Sequence, residues 1–533
     1  MKRPDYFKAW ITEWDWGVRI ALFLVLLSAL VQFGMFALTQ NYVIAALGVQ
    51  PEDISYALML TYAGIISILP VQFRFLKYFQ TRTYLIANII LAIGLNLLCI
   101  QCEHIYFFFI IRFLQGVLVG NTAACILIVI FSRLSTEKMQ AVGSAVFYGS
   151  ILSNTVLIGL VASFVMISWD WKITYYYLIG FQLFALLVIL LIFKPSNGTK
   201  SYPLYQVDWQ GFVLFSFTVS AFGYMMIYGS KYYWLSDTRI QSAALIVSVG
   251  SILFLYRQLS VKRPLIHLKI FRSYNVLIGL CLLAIYYGSK DSINIIYNYA
   301  SSTLKWSTMQ VMILGCCNLA GIVMFMVIST QLMIRKRHST KAFLGTGFLL
   351  MVIYHLWIYL LLTPDLAFTD LIIPVFLHGA ASGLLFVPII MFVLSAAPAD
   401  TGTTGIVVAA YVRFTASLNA IAGFYNLQLY YNQYFKEGFL SSLTNQKQET
   451  IARIEHYRQL YAAKGFSSEH ASSLAISTIN QNLSQQTQLL TSRAVFMIMA
   501  ILLGITGLLV LVAPSIGKAY LHWNRKMFTP PER

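Results

Sequence analysis

Runs of roughly 20 apolar residues recur from one end of this chain to the other, separated by short polar or basic connectors, and each is long enough to cross a hydrocarbon core of about 30 Å as a helix. In hydrocarbon the backbone must satisfy its own hydrogen bonds, so runs of this length span as α-helices. Only 11% of the 533 residues are charged and 59% are hydrophobic, with a mean hydropathy of +0.72, whereas globular domains carry about 25% charged residues. The fold class is therefore all-α and integral to a membrane, with the lipid bilayer as solvent. A formal charge of +18 invites a nucleic-acid reading. The Lys and Arg residues are dispersed among connectors, however, and not gathered on one amphipathic element, so nucleic acid is not expected as a partner.

The spans fall at about 18–46, 54–73, 83–102, 105–132, 141–167, 174–193, 211–229, 240–256, 274–302, 309–333, 342–362, 370–397, 403–430 and 494–513. The first is too long for a cleavable signal peptide and is expected to stay as a helix. Alternate connectors differ in charge. One set holds Lys2, Arg3 and Lys8; Arg74, Lys77 and Arg82; Arg133 and Lys138; Lys194 and Lys200; Arg257, Lys262, Arg263, Lys269 and Arg272; Arg335, Lys336, Arg337 and Lys341; and Lys518, Arg525, Lys526 and Arg533. The other holds only Lys172, Lys231, Arg239 and Lys305 beside acids such as Glu52, Asp53, Glu103, Asp365 and Asp370. Cytoplasmic loops retain positive charge, so both termini are expected in the cytoplasm and the chain in an inner (cytoplasmic) membrane.

Two connectors punctuate the series. The polar stretch Lys194 to Gln210, with Pro195, Gly198 and Pro203, and the basic one from Arg257 to Arg272 bracket two spans. The expected domains are a six-helix bundle over 1–205, a two-helix insert and basic connector over 206–272, and a second six-helix bundle over 273–533. The long hydrophilic segment from Tyr431 to Ser492 carries Ile451, Ile454, Tyr457, Tyr461, Ile476, Ile479 and Leu483 at helical spacing, which predicts two amphipathic helices split near Gly465. Trp10, Trp14 and Trp16 precede the first span as an interfacial belt. All six cysteines lie in apolar runs and read as small core residues rather than disulfides. No Walker A, H-E-x-x-H or paired C-x-x-C signature is present, so no cofactor or metal is expected.

Four motifs in order carry a family resemblance. Arg112-Phe113-Leu114-Gln115-Gly116, with Gly120 beyond, reads R-x-x-Q-G. Val207-Asp208-Trp209-Gln210-Gly211 reads D-W-x-G, followed by a turn from Gly229 through Trp234 to Ile240. Arg263 to Phe271 reads P-L-[IL]-x-L-x-[LI]-F, and Pro398 to Gly423 includes Gly405 and Arg413. Together these resemble the fourteen-helix drug:proton antiporter branch of the major facilitator superfamily, the EmrB/QacA type, over nearly the whole chain. The resemblance implies two six-helix bundles with a two-helix central insert, alternating access, small amphiphilic substrates and protons. Departures are clear. Leu38-Thr39-Gln40-Asn41-Tyr42 has no Asp where the family has one in its first helix. Val71 to Phe79 lacks the Gly and Asp of the loop between helices two and three, and Gly143, Gly149 and Gly159 lack the Pro of the antiporter motif.

Ionisable groups deep in spans are costly, by about 2.5–3.5 kcal/mol on insertion scales, and mark functional positions. Arg112 and Gln115 lie in the fourth span, where the resemblance implies proton coupling or bridging to the first helix; a structural tie through carbonyls is the alternative. Lys290 and Asp291 lie midway along the ninth. Adjacent on a continuous helix, they point about 100° apart, toward substrate or proton on one side and a partner such as Arg413 or an amide on the other. Arg413 itself reads as packing or positioning. His355 and His378 could carry a coupling proton or serve as hydrogen-bonded core residues.

The expected function is a proton-coupled exporter of amphiphilic small molecules, not an enzyme. A lipid or lipid-linked saccharide flippase is the alternative transporter. An integral membrane acyltransferase, the least favoured reading, needs a catalytic histidine beside an acid or asparagine at an interface, and His355 and His378 lack a nearby acid in sequence. The segment over 431–492 is expected either to dock a periplasmic adaptor, and through it an outer-membrane channel, or to close as a lid.

Overall fold

A computed structural model describes residues 6–133, 149, 172–195, 204, 207–261, 263–334, 340–398, 404–418, 422–443 and 447–513. The span expected at 141–167, with Gly143 and Gly159, lies outside them, as do the side chains of the 38–42 stretch. A surface turn α1 (Ala9–Thr12) leads into α2 (Asp15–Leu47), α3 (Pro51–Tyr78), α4 (Thr81–Ile100), α5 (Ile105–Arg133) and α6 (Ile173–Ile192). The pair α7 (Trp209–Tyr228) and α8 (Thr238–Ser260) follows. The second half comprises α9 (Tyr274–Lys290), α10 (Ile293–Ser302), α11 (Thr308–Ile334), α12 (Thr340–Leu361), α13 (Phe368–Ala396), α14 (Thr404–Leu418), α15 (Phe424–Ser442), α16 (Gln448–Ala463) and α17 (Ser468–Val512).

Among the described residues eleven helices are long and apolar enough to cross a membrane, and Trp16–Gln32 and Thr404–Leu418 are shorter apolar stretches. Their outward faces are apolar too: Leu91, Leu187, Ile252 and Leu508 are all more than half exposed. In water such faces would be an aggregation liability, and in lipid they are the matched surface. Trp10, Trp14 and Trp16 are likewise exposed beside the first span.

The helices pack in two groups. In the first, α2 contacts α3, α5 and α6, and α4 contacts α5 and α6; in the second, α13 contacts α9, α11 and α12, and α12 contacts α17. Each group has one very close crossing. A Cβ on Gly116 of α5 would sit 2.1 Å from the Thr61 carbonyl of α3, and a Cβ on Gly379 of α13 would sit 2.1 Å from the Asn318 carbonyl of α11. Backbones this close are how helices bind each other in lipid, where dispersion contacts replace the hydrophobic effect. The glycine of the R-x-x-Q-G string is therefore a packing requirement.

The α7–α8 hairpin packs on α3. Asp208 caps α7 by accepting from the Gly211 amide at 3.0 Å and also accepts from Arg257 Nε, near the end of α8, at 2.7 Å. One carboxylate thus starts one helix and ties down the other, which is what the D-W-x-G string encodes.

One expected span is interrupted. The run 274–302 breaks after Lys290, whereas over 403–430 the described residues are helical as α14 and α15. Beyond the bundle, α16 and α17 are split at Gly465, whose φ of +91° suits glycine. The segment over 431–492 is not two helices alone, since α15 runs on to Ser442 before α16 begins. The 45 residues of α17 join this hairpin to the last span without a break.

Candidate functional site

The central feature is the interruption of the ninth span. Gly288-Ser289-Lys290-Asp291-Ser292 is poor helix-forming sequence, because Ser and Asp compete for backbone hydrogen bonds and Gly resists ordering. The helix ends at Lys290, and the Ser292 amide bonds the Ser289 carbonyl at 3.1 Å instead of continuing the ladder. Freed from a continuous helix, Lys290 and Asp291 turn toward each other and form an ion pair. Their side chains are 15% and 21% exposed. The 100° divergence expected of adjacent helical residues does not apply, because Asp291 has left the helix.

Aromatic rings floor this pair. Lys290 Nζ lies 5.2 Å from the centroid of Tyr287, and the Arg413 guanidinium lies 5.7 Å from the same ring and 4.4 Å from that of Phe414. From the first half, Tyr62 of α3 packs against Phe414 with centroids 5.6 Å apart, and its phenol is within electrostatic reach of Asp291 and Arg413. Two cations, one carboxylate and three rings thus meet where α3 faces α9 and α14. Such rings favour cations and flat apolar groups alike.

Behind the break lie the histidines. His355 Nδ1 is 2.7 Å from the Met351 carbonyl, which can only accept, so Nδ1 carries the proton and Nε2 accepts from the Ser292 hydroxyl at 2.9 Å. Asn318 Nδ2 donates to the Val375 carbonyl and to His378 Nδ1, both at 3.0 Å, which leaves the proton of neutral His378 on Nε2. The His378 ring lies beside the Lys290 main chain. Tyr354 packs against both, edge-on to His355 with centroids 4.9 Å apart and tilted against His378 at 4.7 Å. Both histidines are buried and contact the broken segment.

Arg112 and Gln115 form a separate cluster inside the first half. Arg112 Nη1 donates to Gln115 Oε1 at 2.7 Å, Gln115 Nε2 to Asn96 Oδ1 at 3.0 Å, and Asn96 Nδ2 to Gln182 Oε1 at 3.0 Å. The guanidinium sits 3.8 Å from the Phe36 ring centroid and is 1% exposed. No carboxylate pairs with it among the described residues. Gln182 also lines a small pocket of mixed polar and apolar walls with Ser28, Gln32, Asn88 and Thr122, in which both side-chain amide atoms of Gln32 lack a hydrogen-bond partner among the described residues.

Of the residues singled out in the sequence, the fold brings Lys290, Asp291 and Arg413 to one place, sets His355 and His378 behind it, and keeps Arg112 and Gln115 apart. Sequence reading missed Tyr62, Ser292 and Phe414. The string of Gly, Ser and Asp residues around Lys290 was a signal for the break. No local signal pointed to Tyr62.

Comparison with known proteins follows the same lines. Residues 21–423 match the family model described as Major Facilitator Superfamily. The colistin resistance protein EmrB of Acinetobacter baumannii is 21% identical over 49% of this chain and 50% of its own length. The multidrug export protein EmrB of Haemophilus influenzae is 21% identical over 61% of this chain and 62% of its own length. The alignments thus span half to three fifths of these relatives. Among solved structures, a peptide transporter POT bound to alafosfalin shares 13% identity with a TM-score of 0.59, covering 94% of this chain and 95% of that one. The proton:xylose symporter XylE shares 14% with a TM-score of 0.51, covering 78% and 88%. At these identities the structures speak for the fold.

Proposed function

The chain belongs to the Major Facilitator Superfamily, and from that premise we propose that it is a proton-coupled secondary transporter that exports amphiphilic small molecules by alternating access of its two halves. Its activity is transport, not an enzymatic reaction. The observation that carries the proposal is the meeting of Lys290, Asp291, Arg413 and the rings of Tyr62, Tyr287 and Phe414 at a broken span between the halves. Broken helices at a half-to-half interface are where secondary transporters bind substrate and coupling ion. Export as the direction is supported by the two EmrB relatives, named for colistin resistance and multidrug export.

Charge at the site narrows the substrate. Lys290 and Arg413 share the site with a single acid, Asp291, which is already paired with Lys290, so a cationic cargo would enter without a free carboxylate to offset its desolvation. Anionic, zwitterionic and neutral amphiphiles fit better, with Lys290 as the anchor and the rings holding apolar parts. His355, His378, Arg112 and Gln115 are proposed to serve proton coupling and the transmission of movement.

The connector charges support a cytoplasmic-membrane location with both termini inside, so that α16 and the start of α17 project into the periplasm. There they are proposed to dock an adaptor leading to an outer-membrane channel. Ile451, Phe466 and Ile476 are exposed on this hairpin and supply apolar contacts. Crosslinkers at Glu455 and Gln481 should capture a second envelope protein; purely intramolecular products would favour a lid instead.

The deciding experiment is reconstitution in proteoliposomes with a fluorescent carboxylate amphiphile, its neutral ester and a quaternary ammonium dye. Export of the first two should follow an imposed pH gradient. Undiminished transport after collapse of both the pH and potential gradients would overturn proton coupling, and preferred transport of the quaternary dye would overturn the substrate class.

A further inference from the structure

At the end of the bundle that bears the α16 hairpin, the start of α3 touches both the insert and the second half. Tyr228, at the end of α7, donates its hydroxyl to Asp53 Oδ1 at 2.5 Å, and Tyr425 of α15 donates to Glu52 Oε1 at 2.9 Å. Two consecutive acids on one helix therefore hold two different parts of the molecule.

The surfaces behind the two bonds differ. Between α3 and the insert lie the packed rings of Tyr56, Tyr224 and Tyr228, with centroids 5.6 Å and 4.5 Å apart along the series. Tyr56 Oη also donates to the Ser220 carbonyl at 3.3 Å, Lys231 donates to Gln50, and Met59 fills the space above Gly223. Between α3 with the insert and α15, the side-chain hydrogen bonds among the described residues are Glu52–Tyr425 and a neutral one from Asn426 Nδ2 to the Met226 carbonyl of the insert at 3.3 Å, with Leu418 and Ala422 meeting Met59, Ile227 and Tyr228 in the apolar cluster beneath.

We propose that Glu52 and Tyr425 form the catch of a gate that closes this end of the transporter, while Asp53 and Tyr228 fix the insert to the first half so that the two move as one body. A hydroxyl–carboxylate bond suits a catch. It is charge-assisted, and its loss biases a two-state equilibrium by roughly ten- to hundredfold, enough to hold one state and small enough to release in each cycle. The heavily packed joint to the insert does not open on that scale. The proposal rests on alternating access but not on cargo, direction or proton coupling.

The test needs no substrate. In a background with the six native cysteines replaced, a Tyr62→Cys reporter between the halves is labelled by a membrane-impermeant maleimide applied from the hairpin face or from the opposite face. Tyr425→Phe should raise labelling from the hairpin face about tenfold and lower it from the other face, which distinguishes a shifted equilibrium from a loosened fold. Glu52→Gln, which keeps an uncharged acceptor, should shift it in the same direction by less. Tyr228→Phe should leave both rates within twofold. The proposal is overturned if Tyr425→Phe changes neither rate, if labelling rises at both faces, or if Tyr228→Phe shifts the rates as far as Tyr425→Phe does.

Discussion

If Lys290 is the anchor for an anionic cargo, Asp291 is its built-in competitor, and removing the competitor should tighten binding. Asp291→Asn keeps the size of the side chain and removes its charge. The worth of the pair follows from its exposure. Exposed pairs contribute about 0–1 kcal/mol, and truncating one member of a fully buried pair costs about 3–5 kcal/mol. At 15% and 21% side-chain exposure the pair lies between, at about 1–2 kcal/mol, or roughly a five- to thirtyfold change in a dissociation constant. Equilibrium binding of a fluorescent carboxylate amphiphile to the purified protein in lipid nanodiscs should therefore tighten about tenfold in Asp291→Asn. It should weaken at least as much in Lys290→Ala. The neutral ester should bind both variants as it binds wild type. Tighter ester binding in Asp291→Asn would mean that the cleft had merely opened, and weaker anion binding in that variant would refute competition for Lys290.

Three further outcomes are expected. Gly116→Ala places a Cβ 2.1 Å from the Thr61 carbonyl and should drive α3 and α5 apart, cutting the yield of monodisperse protein on size-exclusion chromatography by more than half. Asp208→Ala removes a helix cap and the partner of Arg257, a loss of about 2 kcal/mol that should lower the thermal transition by a few degrees in differential scanning fluorimetry. Ser292→Ala deletes the hydroxyl that bonds His355 Nε2; it should cost about 1 kcal/mol and slow transport severalfold at unchanged expression, whereas full transport would show that the serine does not position the break.

Much of the architecture was legible because its causes are local. A bilayer demands an apolar run for every span, so the spans can be read one segment at a time. The spacing of Arg112 and Gln115 places them on one helix face, yet the expected partner of the arginine lay in the first helix or among carbonyls and not at Gln115, where the structure puts it. Asp208 shows the limit of this. Its motif was readable, but the partner at Arg257 comes from the far end of the following helix and is fixed only once the hairpin closes.

The central site was less legible, for two physical reasons. Tyr62, Tyr287 and Arg413 are far apart along the chain, and nothing in an apolar run says which of its faces meets another half; in lipid, aromatic and aliphatic residues suit either face. The second reason lies at Lys290. Treating 274–302 as a continuous helix separates Lys290 from Asp291 by about 100°, whereas the break at Gly288–Ser292 lets them pair. In a bilayer the freed backbone groups at such a break must find partners, and here the Ser292 amide bonds the Ser289 carbonyl while the Ser292 hydroxyl bonds His355. The pair, the break and the buried histidine therefore sustain one another: a continuous helix would part the charges, and an unsupported break would leave polar backbone in hydrocarbon.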